Sequence, residues 1–214
     1  MQDLFKRLLL AALLLPVMTA LAQETVDRIA ARVENDIILL SDVRELGRYQ
    51  LFVDGKAQTD DQILERLIDQ WIVRNEATIS RIAQPSNEDV ERSIERLKHS
   101  FGSPEEFENR RKQSGLSNDD IRRMQKSQLY LSNYLDTRFR PTIRVDDKAI
   151  EDFYQTRVIS RAQSRGETPP TLDEARDYIQ EVLVQGAINE QADKWLKESR
   201  SRVRVEKMLT ESPQ

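Results

Sequence analysis

Apolar and polar positions alternate at both ends of this chain and recur at helical spacing in between. Near the start, Val26, Ile29, Ala31 and Val33 form a loosely alternating run. Glu34-Asn35-Asp36 supplies turn formers, and Ile37, Ile38, Leu39 and Leu40 follow as a second apolar run. The pattern predicts a β-hairpin, with Ser41-Asp42 as the cap of a following helix. At the far end Val203, Val205 and Lys207 alternate with Arg202, Arg204, Glu206 and Met208, as in an edge strand wet on one face. A lone two-stranded ribbon is marginal in water. The segment Ser201–Leu209 is therefore expected to pair with the hairpin and bring the two ends together.

Everything between reads as helix. Asp42 to Phe52 continues from the hairpin, with Val43, Leu46, Tyr49 or Gln50, and Val53 near its buried side, until Asp54-Gly55. Thr59 and Gln62 make a capping box for a helix with two apolar rows, Ile63, Leu67, Trp71 and Leu64, Ile68, Ile72. Ala77, Ile79, Ile82 and Ala83 extend that stripe to Pro85. Ser86 with Asp89 opens the next helix (Val90, Ile94, Leu97), and Ser103-Pro104-Glu105-Glu106 is the strongest start signal in the chain. Ser117 with Asp120 opens a long helix facing inward through Ile121, Met124, Leu131 and Leu135 and ending at Pro141. Asp146 caps another, carrying Ile150, Phe153 and Tyr154. After the linker Arg165–Pro170, Thr171 and Glu174 start a helix reaching about Glu198, in which Gly186 suggests a close crossing or a bend. The expected fold is mainly α: a helical core with a small antiparallel β element formed by the N-terminal hairpin and the C-terminal strand.

The first residues stand apart. Lys6-Arg7 precedes an apolar run from Leu8 to Met18, and Ala20-Leu21-Ala22 is a small-x-small cleavage site before Gln23. The run falls short of the about 20 residues of a membrane span. A signal peptide over 1–22 and release to the periplasm are expected, without stable membrane insertion. The chain carries 33 Lys+Arg against 37 Asp+Glu, a net charge of −4, and no basic footprint for nucleic acid. It has no cysteine, so no disulfide framework supports an exported protein of this composition. His99 is the single histidine, placed in the last turn of a helix. No cysteine nucleophile, ordinary zinc site or Gly-rich phosphate loop is present, and the pairs Asp60-Asp61, Asp119-Asp120 and Asp146-Asp147 sit at helix starts, where the helix field favours acids. Neither an enzyme nor a cofactor is expected.

What remains is apolar surface. Tyr130, Tyr134, Phe139, Phe153 and Tyr154 cluster around one helix-turn-helix joint, and Phe101 and Phe107 around the previous one. All seven can fill a core. They can also line a groove for extended or unfolded polypeptide, because aromatic side chains offer area without demanding one partner.

The run VDRIAARVENDIILLSDV, the helix LIDQWIVRNEA with Ser86 to Val90 behind it, the stretch SPEEFENRRKQSGLSNDDIRRMQKSQLYLSNYL and the closing WLKESRSRVRVEKML together resemble the SurA family of periplasmic chaperones and parvulin-type prolyl isomerases. In that family the closing strand returns to the N-terminal core. The resemblance implies one discontinuous chaperone-like domain over 23–163 and 171–209, with 164–170 as the linker where a parvulin domain would be inserted and 210–214 as a disordered tail. Between about Thr156 and Pro170 there is no room for a parvulin sheet, nor are its histidines present. The resemblance thus implies an ATP-independent holdase for unfolded polypeptides, outer-membrane proteins among them, without prolyl isomerase activity. A dedicated assembly or scaffolding partner of one envelope protein is the alternative, and the open edge at Arg202 to Met208 allows a homodimer by strand or helix exchange. The processing site gives the first prediction: intact-mass measurement of envelope-fraction protein should find the chain beginning at Gln23, and the full-length mass alone, in the membrane pellet, would sink it.

Overall fold

The computed structural model describes residues 27–209, so the expected signal peptide with its cleavage site and the tail 210–214 lie outside the described residues. The fold is mainly α with a small antiparallel sheet. Strands β1 (Ile29–Val33) and β2 (Asp36–Leu39) form the hairpin, and β3 (Val205–Lys207) pairs with β1, giving the order β2-β1-β3. The turn is tighter than the sequence suggests, since Asp36 already pairs with Val33 and Glu34 takes a φ of 53°. Short hairpin turns use such left-handed backbone to match the strand twist. Glu34 is held there from the other end of the chain. Its N–H donates to the Arg204 carbonyl at 3.0 Å, and its carboxylate accepts from the Arg204 N–H at 2.7 Å. A register shift between Ile29 and Ala31 buries both Ala30 and Ala31, which simple alternation does not anticipate.

Helix α1 (Leu40–Asp54) starts before the expected Ser41 cap. The cap position is Leu39, whose N–H donates to the Asp42 carboxylate at 2.9 Å, while the Ser41 N–H donates to Asp27. Its buried side is Leu40, Val43, Leu46, Tyr49 and Phe52, and Gly55 ends it with a left-handed φ of 69°. Helix α2 (Asp60–Ile79) is the centre of the body. Ile63, Leu64, Ile68 and Ile72 join the sheet and α1 in one cluster, whereas Val73 and Ala77 face α5 (Asn118–Phe139) through Tyr130, Leu131 and Tyr134. Ile79, expected to extend the stripe, is 68% exposed, because Arg81 takes a φ of 54° and ends the helix just after it. Helices α3 (Asn87–His99) and α4 (Pro104–Gln113) close the remaining side, with Phe107 as the one buried residue of α4.

A polar trio ties three helices together inside this body. Ser93 of α3 donates to Gln125 of α5 at 2.5 Å, and the Gln125 amide donates to the Tyr49 hydroxyl of α1 at 2.6 Å. Burial holds the Tyr49 phenol above its usual range, so it stays neutral.

The linker expected over 164–170 is shorter than it looks. Helix α6 (Asp147–Phe153), a π-helical segment (Tyr154–Ile159) and α7 (Ser160–Arg165) run on without a break until Gly166, at φ 66°. Helix α8 (Leu172–Arg200) then returns antiparallel, over about 43 Å at 1.5 Å per residue. Its first half forms a helical hairpin with α6 around Ile150, Ala175 and Ile179. Its second half carries Trp195 against three of the four apolar clusters. Midway, Arg140 forks onto Glu181 at 2.8 and 2.9 Å, which holds that carboxyl down at about 2. Gly186 makes no close crossing: a Cβ there would meet nothing within 4 Å.

At its end α8 is fastened by charge. Arg200 pairs with Asp69 at 2.5 Å and with Glu65, and Lys207 pairs with Glu65 and, at 3.1 Å, with Asp61. Glu65 and Asp61 raise the Lys207 pKa above its ordinary value. The stabilisation from this lysine is therefore complete at neutral pH and is lost only as pH rises through and beyond the ordinary lysine range.

Two expectations follow. Ending the chain at Ser201 removes β3, the partners of Glu34 and the Lys207 pairs, and should cost about 3 kcal/mol or more. Urea denaturation would show it as a lowered midpoint, while an unchanged midpoint and slope would make the tail dispensable. Conversely, Gly186→Ala should raise stability by roughly 1 kcal/mol, since alanine gains helix propensity and meets no neighbour. A lowered melting temperature would mean that the helix needs its glycine.

Candidate functional site

The structure does not bring the seven aromatic residues together. Phe101 stacks on Phe52 at 5.0 Å between ring centres and Phe107 meets both rings edge-on at 5.2 Å, with the Arg110 guanidinium 5.4 Å above Phe101. Tyr130 and Tyr134 are buried against Val73 and Ala77 of α2. Phe139 is buried against Ile143, Ile188 and Ala192. Trp195 closes over Tyr134 and Phe139 at 5.9 and 6.1 Å, and Arg138 lies against all three rings. Phe153 and Tyr154 belong to the helical hairpin, where the Tyr154 hydroxyl donates to the Pro170 carbonyl at 2.7 Å. The cause is α8. Its return along α5 occupies the side on which a groove lined by Tyr130, Tyr134 and Phe139 would open, so these rings are interior packing. Burial accordingly holds the Tyr134 phenol above its usual range.

One apolar surface that remains open lies under the hairpin. Ile37 and Ile38 of β2, Leu67 and Trp71 of α2, Leu46 of α1 and Met124 of α5 border a cleft of about 270 Å³. Ile37 is 54% exposed, although it belongs to an unbroken apolar run. Leu67, Trp71 and Met124 are half-buried. The Trp71 indole N–H donates to the Asp36 carboxylate at 2.8 Å, which fixes the ring against the hairpin. The rim is charged: Arg123 pairs with Glu45 at 2.7 Å and with Asp120, and Arg74 donates to the Ser127 hydroxyl. Such exposed pairs contribute little to stability. They keep the rim wet and leave the floor apolar.

β2 also stands at an edge of the sheet, and among the described residues no strand pairs with its outer side. An extended segment laid there would find backbone partners beside an apolar floor. A wider recess of about 810 Å³ next to α2 is walled by Asp54, Lys56, Asp61, Gln62, Glu65 and Arg66, and no large apolar side chain lines it.

Two signals for this cleft were present in the sequence. The two apolar rows of α2 make a stripe wider than one packing partner covers. The structure buries Leu64, Ile68 and Ile72 and leaves Leu67 and Trp71 half-open. The continuous run Ile37–Leu40 likewise cannot be buried throughout on a strand of period two. His99 is exposed at the end of α3, with Arg96 and Lys98 in the same turn. Among the described residues no group of His, Asp and Glu is placed to hold a metal ion, and no helix is long and apolar enough to cross a membrane. Compared with known proteins, the chain matches no family model and no curated protein sequence.

Proposed function

We propose that this protein is an ATP-independent holdase that binds unfolded or extended polypeptide in the periplasm, with outer-membrane proteins as the client class. The observation that carries this is the cleft itself: Ile37, Leu67, Trp71 and Met124 present apolar area beside the outer side of an edge strand. Rigid Trp71 and deformable Met124 suit side chains of varied shape. The resemblance of the sequence to SurA-type chaperones, whose closing strand returns to the core, supplies the compartment and the client class.

A site this small cannot bind tightly through apolar area alone. Burial yields roughly 25 cal/mol per Å², and ordering a floppy client takes much of it back. The expectation is micromolar, exchangeable binding. Mature protein in several-fold excess should suppress the light scattering of a diluted, unfolded outer-membrane protein. Ile37→Asp, which alters a 54% exposed position, should weaken binding by about tenfold with an unchanged melting temperature. Tyr134→Ala should instead lose about 3 kcal/mol of stability as a core truncation while its folded fraction still binds. Failure of the wild type to suppress aggregation, or an Ile37 variant as active as the wild type, would overturn the proposal.

A further inference from the structure

The stretch from Tyr154 to Gly166 contains Arg157, Arg161 and Arg165 and no acidic residue, in a chain whose net charge is −4. The three arginines recur at every fourth position from the π-helical segment into α7, and all three border one cleft of about 240 Å³. Phe153 and Val158 form its apolar side, Tyr178 of α8 stands across it at 66% exposure, and Glu167 is its one acidic neighbour. The ion pairs of this helical hairpin, Lys148–Asp152 and Arg176–Asp147, involve none of the three. Among the described residues these guanidiniums have no carboxylate partner, whereas Arg92, Arg123, Arg140 and Arg200 each hold two.

Like charges four apart on a helix repel and cost a few tenths of a kcal/mol, so the stripe works against its own helix. An anionic ligand with apolar groups would relieve the repulsion and cover Phe153 and Tyr178. The geometry selects its form. Arg161 and Arg165, four apart within α7, are about 6 Å apart along its axis, and alternate residues of an extended chain are about 6.6 to 6.8 Å apart. Carboxylates two positions apart on an extended peptide therefore fall opposite Arg161 and Arg165, with Arg157 further along the same cleft, and the planar guanidinium takes a carboxylate through two parallel hydrogen bonds.

We infer that this face of the helical hairpin binds acidic, apolar-flanked segments of extended polypeptide through Arg157, Arg161 and Arg165. It is a second surface, separate from the cleft at Ile37, and it stands or falls independently of the holdase activity assigned to that cleft.

Fluorescence anisotropy with the full chain tests it. The probe is a labelled peptide with Asp at three alternate positions and Phe on either side, compared with the same peptide carrying Lys in place of Asp. The Asp peptide should bind, and R157Q/R161Q/R165Q should weaken it by about tenfold or more. Raising salt to about 0.5 M should do the same, and Ile37→Asp should leave it unchanged. The three side chains are exposed, so circular dichroism and the melting temperature should not change in the triple variant. Equal binding of the Lys peptide, or an unaltered affinity in the triple variant, would overturn the inference. So would capture of phosphatidylglycerol vesicles without peptide binding, which would make the stripe a lipid-facing surface instead.

Discussion

The pairing of β1 with β3 is the constraint on which the rest of this structure depends. β1 is the middle strand, and its Ala30, Ala31 and Val33 side chains lie in the main core. Without β3 one whole side of that strand would lose its hydrogen-bond partners, an exposure the surrounding helices cannot repair. The bonds that close it come from the last described residues. Arg204 takes both the N–H and the carboxylate of Glu34, and the Met208 N–H donates to the Ala30 carbonyl at 2.8 Å. Because Glu34 sits in left-handed backbone, the C-terminal strand also stabilises a turn that its own residue type disfavours.

That closure would be weak if β3 stood alone, being three residues long. It is made firm by α8, which delivers β3 to its place and is anchored on both sides of the junction. Trp195 packs against three apolar clusters just before the helix ends, and Arg200 and Lys207 bracket the turn with ion pairs to one face of α2. The carboxylates Asp61, Glu65 and Asp69 would repel one another on that face. Burial, and after it the Glu65 charge, raise the Asp69 pKa, with Arg200 opposing them. The two cations turn a repulsive stripe into an attachment.

Much of this was legible in the sequence for a local reason. Caps at Thr59, Ser86, Ser103, Ser117, Asp146 and Thr171 depend only on a residue and its neighbours three positions on, and each one caps its helix as expected. The strand pairing was legible because period two at both ends left each segment in need of a partner. The placement of the aromatic rings was not. Whether Tyr134 or Phe139 lies in a wall or in a core depends on which side of α5 receives α8, and neither residue encodes that choice. The return of α8 buries Tyr134 but leaves Ile37, Leu67 and Trp71 partly open, so the open apolar area falls on residues outside the aromatic clustering of the sequence. The helical run through Arg165 was hidden for another reason: a π-helical segment breaks the 3.6-residue period that identifies a helix.

The two candidate surfaces differ in what supports them, and that difference bears on how each could act. The cleft at Ile37 is framed by β2, α1, α2 and α5, all within the body that the chain ends close. Its shape is set before any ligand arrives, so affinity there is limited by area. The arginine stripe lies on a helical hairpin held by a small cluster around Ile150, Ala175 and Ile179 and by the Arg140–Glu181 fork further along α8. Charge at that site acts over about a Debye length and precedes contact. An extended chain drawn first to the stripe and held by area at the cleft would use each surface for what its physics does best. α8 runs from Tyr178 beside the arginines to Trp195, which packs on the same apolar cluster as Leu67 and Trp71, so a single helix rather than a flexible linker joins the hairpin that carries the stripe to the body that frames the cleft.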